Sequence, residues 1–248
     1  MNRPIQSSLF FPSHLKKIIS IPLLFIFEIM PLNAVIFDMD GLLIDSEPYW
    51  QEAGIEIMNQ FDVSLTIEQY HLTTGLRTRE WLEYWFNHFG IDMRFAKDAE
   101  TDIVQKAIEK IKEKGEPLPG VEYILSFFRE KNFPIGLATS SPIELINVVV
   151  EKLRIRHYFD AWSSAETLTF SKPHPQVYLN CAELLKASPV QCICFEDSFN
   201  GMISAKASRM KCVVIPAPDV YEQTKWEAAD LKLRSLNDFN EDSLVLFN

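Results

Sequence analysis

One stretch constrains this chain more than any other: an apolar run from Val35 to Phe37 leads directly into two acids and a glycine. Alternate residues of an extended chain point to the same side, so Asp38 and Asp40 share a face. Two carboxylates this close repel each other unless a cation lies between them or one takes up a proton. Gly41 allows the chain to turn sharply there. The stretch predicts either a strand end that holds a divalent metal ion or an Asp-rich turn that closes a strand.

Three further stretches follow predicted strands directly, at the position where open α/β sheets place their ligand sites. The hydroxyl groups of Thr139 and Ser140 precede a helix and suit a phosphate group, although a simple helix cap has the same composition. Lys172 is fixed between turn residues, in a setting that a solvated lysine would share. Glu196 and Asp197 place two acids at the end of an apolar strand, a pattern that also begins a helix.

Taken together and in order, the four stretches resemble the four motifs of the haloacid dehalogenase superfamily. The stretch from Asp38 to Ser46 is similar to motif I, Asp-x-Asp-Gly-x-Leu-x-Asp-Ser. The resemblance implies that Asp38 is a nucleophile and that Asp40 is a general acid/base. The presence of the second acid points to the phosphatase and phosphomutase branch, because the dehalogenases of the family lack it.

The same resemblance implies a Mg²⁺ cofactor and roles for the other candidate residues. The implied metal ligands are the carboxylates of Asp38 and Asp197 and the backbone carbonyl group of Asp40. Three further side chains, from the second and third stretches, are expected to bind the phosphate group, namely Thr139, Ser140 and Lys172. Two side chains of the fourth stretch are expected to act as supports, with Glu196 steadying Lys172 or the metal shell and Asn200 steadying the turn.

The distribution of helical and strand patterns predicts the architecture. From residue 117 onward the two patterns alternate, which indicates a parallel sheet covered by helices on both faces. Residues 47–116 show helical patterns alone and end at a boundary rich in Gly and Pro. We therefore predict an α/β, Rossmann-like core of residues 32–46 plus 117–248, into which residues 47–116 are inserted as an all-helical domain. This insert resembles the helical C1 cap of the family.

The predicted cap contains several residues that bear on the site. Arg77 lies on a Gly-containing loop of the kind with which family caps reach into the site, so we expect it to touch the sugar or the phosphate. Thr78 is expected to be the N-cap of the next helix. Trp50 occupies the position where β-phosphoglucomutase-like enzymes carry a histidine, which favours simple hydrolysis. Four aromatic residues at helical spacing are expected to fill the core of the cap: Trp81, Tyr84, Trp85 and Phe89.

The resemblance covers the chain from Leu32 to the C-terminus and is closest to the sugar-phosphate phosphatases and β-phosphoglucomutase-like proteins of the superfamily. It implies Mg²⁺-dependent hydrolysis of small phosphate monoesters, such as 2-deoxyglucose 6-phosphate or hexitol phosphates, through an aspartyl-phosphate. Two alternatives stay open. One is a β-phosphoglucomutase-like phosphomutase that uses the same site, and the other is a non-catalytic phosphate-binding protein.

The net charge and the cysteine content limit the kinds of partner and the compartment that we expect for this chain. The formal net charge of −10 argues against a nucleic-acid partner held by a general basic field. A phosphate ester therefore needs a local positive centre, supplied by a metal ion and a lysine. The four cysteines are expected to be buried thiols in a reducing compartment. We expect a cytoplasmic monomer whose partner is a small phosphate ester.

The N-terminal extension, residues 1–31, does not fit the rest of the chain. Lys16 and Lys17 precede an apolar run, residues 18–27, that is too short to span a bilayer and is not followed by a small-residue cleavage site. Met30 comes just before the first strand, so we expect translation to start there and residues 1–29 to be a gene-model extension. Export and a weak membrane anchor are the alternatives, and only the anchor would give the protein a membrane partner.

Overall fold

The computed structural model describes residues 31–73 and 76–247. The expectations for residues 1–29, including the site of translation start, lie outside these residues. In the described ranges, none of the helices combines the length and the apolar character needed to cross a membrane.

The core is a parallel six-stranded sheet, and its strands in chain order are β1 (Ala34–Phe37), β2 (Ile135–Thr139), β3 (Ala161–Ser164), β4 (Cys192–Glu196), β5 (Lys211–Val214) and β6 (Leu231–Lys232). The spatial order is β3-β2-β1-β4-β5-β6. The chain thus builds outward from β1 on one side and then returns to build on the other. Ligand sites of open α/β sheets lie at such a reversal, beyond the carboxyl ends of the central strands.

The described chain contains nine α-helices, and the first four of them lie within residues 47–116. Those four are α1 (Glu47–Asn59), α2 (Ile67–His71), α3 (Thr78–Phe89) and α4 (Ala96–Lys114). The helices α5 (Val121–Glu130), α6 (Ile143–Lys152), α7 (Gln176–Leu184), α8 (Phe199–Ala207) and α9 (Glu241–Val245) follow. Five short 3₁₀ helices complete the elements, at Met93–Phe95, Arg156–Tyr158, Pro189–Gln191, Thr224–Ala228 and Leu236–Asp238.

Both faces of the sheet are buried, as the apolar character of its strands predicts. In β1, Val35 and Phe37 belong to one layer of the apolar core, whereas Ala34 and Ile36 belong to the other. This is the alternation that a strand imposes on successive side chains. The predicted α/β, Rossmann-like architecture with an inserted helical cap is confirmed. All four cysteines are buried free thiols, as expected.

The cap is built around α3 and α4, and its interior is partly aromatic. Trp81 and Trp85 are buried as expected, but Tyr84 and Phe89 are 47% and 37% exposed, so the prediction that all four fill the core was wrong for these two. Thr78 is the first residue of α3 and not its N-cap. The N-cap position belongs to Arg77, whose side chain leaves the helix end to contact the core.

The two connections between core and cap run side by side. The backbone N–H of Asp45 donates to the carbonyl oxygen of Glu116 at 3.0 Å, and the N–H of Leu118 donates to the carbonyl oxygen of Leu43 at 3.2 Å. An antiparallel bridge joins Ile44 to Pro117, which lies between Glu116 and Leu118. The predicted division at residues 46/47 and 116/117 places both domain boundaries at this paired connection.

Candidate active site

The parallel sheet brings the four motif stretches to one edge. Phe37 of β1 pairs with Leu137 of β2 on one side and with Phe195 of β4 on the other, so the carboxyl ends of these three strands lie within two residues of one another. Residues that follow the three strand ends therefore lie close together in space. A cavity between this edge and the cap is lined by Asp38, Asp40, Thr139, Ser140, Lys172 and Asp197, among others.

A buried ion-pair network forms the centre of the site. The Nζ atom of Lys172 donates to Asp38 Oδ1 and to Glu196 Oε1, each at 2.6 Å, and to the carbonyl oxygen of Ala138 at 3.0 Å. All three charged side chains are at least nine-tenths buried. Burial opposes the charge of Lys172, but the two carboxylates outweigh it and raise the pKa of the ammonium group. Lys172 is therefore a fixed cation at the strand ends.

Glu196 is fully occupied by this network. Its Oε1 also accepts a hydrogen bond from the Tyr178 hydroxyl group at 2.5 Å, and its Oε2 accepts from the backbone N–H groups of Asp197 and Ser198 at 3.2 and 3.3 Å. A Cβ atom on Gly201 would overlap the carboxylate, so α8 packs against Glu196 at a distance that requires glycine. With both oxygens engaged, Glu196 orients Lys172.

Asp197 differs from Glu196 because none of the hydrogen bonds among the described residues reaches its carboxylate. Its Oδ1 is buried and unpaired within the described residues, and its carboxylate lies where a Cβ atom on Gly41 would stand. Burial raises the pKa of Asp197, and the charges of Asp38 and Glu196 raise it further. An unpaired buried carboxylate oxygen is unfavourable unless a cation or a donor meets it.

The residues present fit a divalent cation. Asp38, Glu196 and Asp197 each offer a carboxylate oxygen, and these oxygens lie within 4.8 Å of one another. Three acids against the single charge of Lys172 leave the cluster short of positive charge, and hard cations such as Mg²⁺ prefer oxygen ligands of this kind. Because Glu196 is saturated, Asp38 and Asp197 are the carboxylates suited to contact the ion.

Asp40 is held by four hydroxyl or N–H donors. Its Oδ1 accepts from Ser46 Oγ at 2.7 Å and from Trp50 Nε1 at 2.9 Å. Its Oδ2 accepts from Ser141 Oγ at 2.7 Å and from Thr139 Oγ1 at 3.3 Å. Both carboxylate oxygens are thus engaged by uncharged donors, and the side chain is fixed apart from the ion-pair network.

None of these four donors was predicted from the sequence to contact Asp40. Ser46 and Ser141 lie within or next to the motif stretches, but no pattern in the sequence links a hydroxyl group to one particular carboxylate. Trp50 was noted for the histidine that it replaces, and the structure gives its indole N–H a definite partner. Thr139, expected at the phosphate, contacts Asp40 and also accepts a hydrogen bond from the backbone N–H of Ser141 at 3.0 Å.

The remaining predicted residues differ in whether they line the cavity and in what they contact. Ser140 lines the cavity, and its Oγ accepts a hydrogen bond from Ser171 Oγ at 2.8 Å. Asn200 is the second residue of α8 and is not among the described residues that line the cavity. Arg77 lines the cavity, yet its guanidinium group donates to the carbonyl oxygens of Ala165 and Leu168 at 3.0 and 2.7 Å. Arg77 thereby ties the cap to the core.

Glu47 is a cavity residue that sequence reasoning missed. It is the first residue of α1 and lines the cavity together with Trp50, Tyr70 and Trp81 from the cap. Burial raises the pKa of its carboxyl group to about 7, and the charges of Asp40 and Asp45 add to the effect. An acid in the first turn of a helix is an ordinary sequence feature, because it complements the helix dipole, and so it gave no signal.

Comparison with known proteins identifies the family to which the chain belongs. A family model described as haloacid dehalogenase-like hydrolase matches residues 35–215. Hexitol phosphatase B of Escherichia coli (strain K12) is 38% identical over 213 residues, which cover 86% of this chain and 96% of that protein. The beta-phosphoglucomutase of Bacillus subtilis (strain 168) is 27% identical over 220 residues, which cover 86% and 94%. In fold, the chain resembles the crystal structure of beta-phosphoglucomutase from Clostridium difficile, with a TM-score of 0.75 at 23% identity, over 88% of this chain and 97% of that one.

The matched range contains all four motif stretches and the residues that the sheet brings together. It begins inside β1 and ends just after β5, so it includes the cap. The predicted superfamily is confirmed, and with it the prediction that the chain is a hydrolase. This chain belongs to the haloacid dehalogenase-like hydrolase family.

Proposed function

We propose that this protein is a Mg²⁺-dependent phosphatase that hydrolyses small phosphate monoesters, those of sugars or sugar alcohols, through an aspartyl-phosphate at Asp38. The observation that carries the proposal is that two carboxylates only two positions apart in sequence have different hydrogen-bond partners. Asp38 is paired with Lys172, whereas Asp40 is held by uncharged donors. One suits a nucleophile and the other a proton carrier. The hexitol phosphatase among the relatives supports this substrate class.

In the first half of the reaction, Asp38 attacks the phosphorus atom of the ester. Its Oδ1 is held by Lys172, which leaves Oδ2 to form the new bond to phosphorus. The bond between phosphorus and the ester oxygen breaks in line with this attack. Asp40, in its protonated form, transfers its proton to the departing oxygen, and the alcohol leaves. Lys172 stabilises the charge that develops on the phosphoryl oxygens.

In the second half, water cleaves the aspartyl-phosphate. Asp40, now ionised, accepts a proton from the water molecule as its oxygen attacks phosphorus. The bond between phosphorus and Asp38 Oδ2 breaks, inorganic phosphate leaves, and both acids return to their initial states. The four donors to Asp40 keep its carboxylate in one orientation in both halves.

Mg²⁺ would be held by the carboxylates of Asp38 and Asp197 and by the backbone carbonyl group of Asp40. When bound, it supplies Lewis-acid stabilisation of charge on the phosphoryl group. The unpaired Oδ1 of Asp197 and the excess of carboxylates over Lys172 support this assignment.

The proposal is tested by replacing the nucleophile without changing its shape. Asp38→Asn is expected to abolish the release of inorganic phosphate from glucitol 6-phosphate or 2-deoxyglucose 6-phosphate, while the circular dichroism spectrum stays that of the wild type. Removal of Mg²⁺ with EDTA is expected to suppress the wild-type activity, and added Mg²⁺ to restore it. Wild-type rates in Asp38→Asn would refute the role of Asp38.

A sugar phosphomutase is the second candidate, because a β-phosphoglucomutase is among the relatives. Trp50 argues against it, since an indole N–H donates a hydrogen bond to Asp40 but cannot act as a general acid or base as an imidazole can. Glucose 1-phosphate with a hexose bisphosphate activator distinguishes the two. Isomerisation without phosphate release would favour the mutase. A protein that binds phosphate esters but converts none of them would instead be a non-catalytic phosphate-binding protein.

A further inference from the structure

We propose that the cap half of the cavity is a subsite for the hydroxyl groups of a neutral polyol leaving group, in which Glu47 accepts their hydrogen bonds and Trp81 donates one. This inference rests on the proposed phosphatase function, and it names the part of the substrate that the cap recognises. It makes Glu47 and Trp81 residues that determine specificity, distinct from the residues that carry the chemistry.

The first observation is the position of Glu47. Its side chain lines the cavity and lies beside the turn of motif I, with its Cγ 3.6 Å from where a Cβ atom on Gly41 would stand. None of the hydrogen bonds and ion pairs among the described residues involves its carboxyl group. An ionised carboxylate offers about four acceptor sites, so Glu47 can serve two adjacent hydroxyl groups at once.

The second observation is independent and concerns unpaired donors. Among the described residues, four buried side-chain nitrogen or oxygen atoms have no hydrogen-bond partner, and three belong to residues that line this cavity. They are Arg77 Nε and Trp81 Nε1 on the cap side and Asp197 Oδ1 on the core side. Trp81 is only 5% exposed. Buried polar groups of folded proteins are rarely left unpaired, so this concentration at one cavity points to a ligand that supplies their partners.

The chemistry of these groups selects the ligand class. An anionic leaving group would be repelled by Glu47 and by the neighbouring acids. An apolar group would leave both Glu47 and the N–H of Trp81 unpaired. A hydroxyl group both donates and accepts, so adjacent hydroxyl groups on one carbon chain can satisfy the carboxylate and the indole together. A neutral polyol fits both requirements.

The experiment compares two substrates that share the phosphate group but differ in the leaving group. Glucitol 6-phosphate carries hydroxyl groups, whereas p-nitrophenyl phosphate carries none. Glu47→Gln and Trp81→Phe each remove one polar function and keep the approximate shape. Glu52→Gln makes the same change as Glu47→Gln on the same helix, at a carboxylate that is 53% exposed and paired with Lys110, and serves as the matched control.

We expect Glu47→Gln to lower kcat/KM for glucitol 6-phosphate by about 10- to 100-fold, the range for losing hydrogen bonds to a charged group. Trp81→Phe is expected to lower it by about fivefold, the range for one neutral hydrogen bond. For p-nitrophenyl phosphate, both variants should stay within about twofold of the wild type, as should Glu52→Gln with either substrate.

Three results would overturn the subsite. The first is an equal loss with both substrates in Glu47→Gln. The second is a rise in the Mg²⁺ concentration needed for half-maximal hydrolysis of p-nitrophenyl phosphate, which would assign Glu47 to the metal. The third is a wild type that hydrolyses p-nitrophenyl phosphate but shows no preference for polyol esters, in which case the phosphatase stands without the subsite. If the wild type hydrolyses neither substrate, the phosphatase function itself is refuted. If Trp81→Phe fails to fold, Glu47→Gln alone decides.

Discussion

The two halves of the cavity differ in how completely their polar side chains are paired. On the core side, both oxygens of Asp40 and of Glu196 accept hydrogen bonds, and Lys172 contacts three oxygen atoms. On the cap side, the carboxylate of Glu47 and the indole N–H of Trp81 have no hydrogen-bond partner within the described residues. On the core side, the buried Oδ1 of Asp197 is also unpaired within the described residues, and it lies in the acidic cluster that fits a cation.

This difference corresponds to two tasks. The core half must hold its polar groups in place before the reaction, whereas the cap half must leave polar groups free to pair with the substrate. Charge that develops during phosphoryl transfer is stabilised best by groups that do not reorganise, and the saturated network around Asp40 and Lys172 has this property. Recognition of a leaving group instead needs polar groups that are free to pair with it.

After Asp38→Asn, the largest effect is expected from Asp40→Asn. The amide keeps the shape of the side chain but can neither give nor take the proton, so kcat for phosphate release should fall by about 10²- to 10⁴-fold. Asp45→Asn, the same change at an exposed neighbour, is the control and should retain wild-type turnover. Steady-state kinetics with glucitol 6-phosphate measures both, and a loss below tenfold in Asp40→Asn would remove Asp40 from the chemistry.

The next largest effect is expected from Gly201→Ala, which disturbs the core half through Glu196. The added Cβ would overlap the Glu196 carboxylate, so that side chain must move away from Lys172. We expect about a 10²-fold loss of activity, together with a lower melting temperature, because a buried charge loses its partner. Gly90→Ala is the control, since a Cβ there meets no atom within 4 Å and only the positive φ of 69° adds strain. Equal effects of the two substitutions would contradict the role given to Glu196.

Trp50→Phe tests the one donor to Asp40 that comes from within α1. The ring remains but the N–H at 2.9 Å from Asp40 is lost, so kcat should fall by about tenfold, and with every substrate alike. Trp226→Phe removes an indole N–H that donates to the carbonyl oxygen of Val220, away from the cavity, and should change stability but not kcat. A substrate-dependent loss in Trp50→Phe would show that this cap residue contacts the leaving group and does not act through Asp40 alone.

The smallest effect concerns the pH dependence of stability in EDTA. The pKa of Glu47 is raised from 4.5 to about 7, so the folded state binds its proton more tightly than the unfolded state. The stability that this proton contributes is present below pH 4.5 and is lost as pH rises through about 7. Glu47→Gln should therefore lose less stability than the wild type between pH 5 and pH 8, by on the order of 1 kcal/mol. Urea denaturation at the two pH values measures the difference, and parallel curves would contradict the raised pKa of Glu47.

The parts that the sequence predicted are those set by local patterns. The apolar run before Asp38 predicted β1, and the helical spacing after Ser46 predicted α1 with both ends as observed. The two-residue strand β6 was not predicted, because Leu231 and Lys232 are too few to show a periodic pattern. They form a strand by pairing with the neighbouring β5. Local patterns thus determine the long elements, whereas short edge elements depend on what they pack against.

The side-chain partners within the site depend on residues far apart in the chain, and the sequence could not predict them. Lys172 and Asp38 are 134 positions apart, and only the order of the strands brings them to 2.6 Å. The position of Arg77 on a Gly-containing loop predicted a contact with the substrate. It did not predict the carbonyl groups to which the guanidinium group donates. Its contact with the substrate, like the catalytic roles of the other site residues, stays a prediction.

The central claim, that Asp38 carries the phosphoryl group during turnover, is tested most directly by chemical trapping. An acyl phosphate on an aspartate is reduced by borohydride to homoserine, whereas a free carboxylate is not. Enzyme quenched with acid during turnover of glucitol 6-phosphate with Mg²⁺, then reduced and digested, is analysed by peptide mass spectrometry. We expect homoserine at position 38 in the wild type and none when substrate is omitted. Homoserine at another acid, or none during measurable turnover, would contradict it.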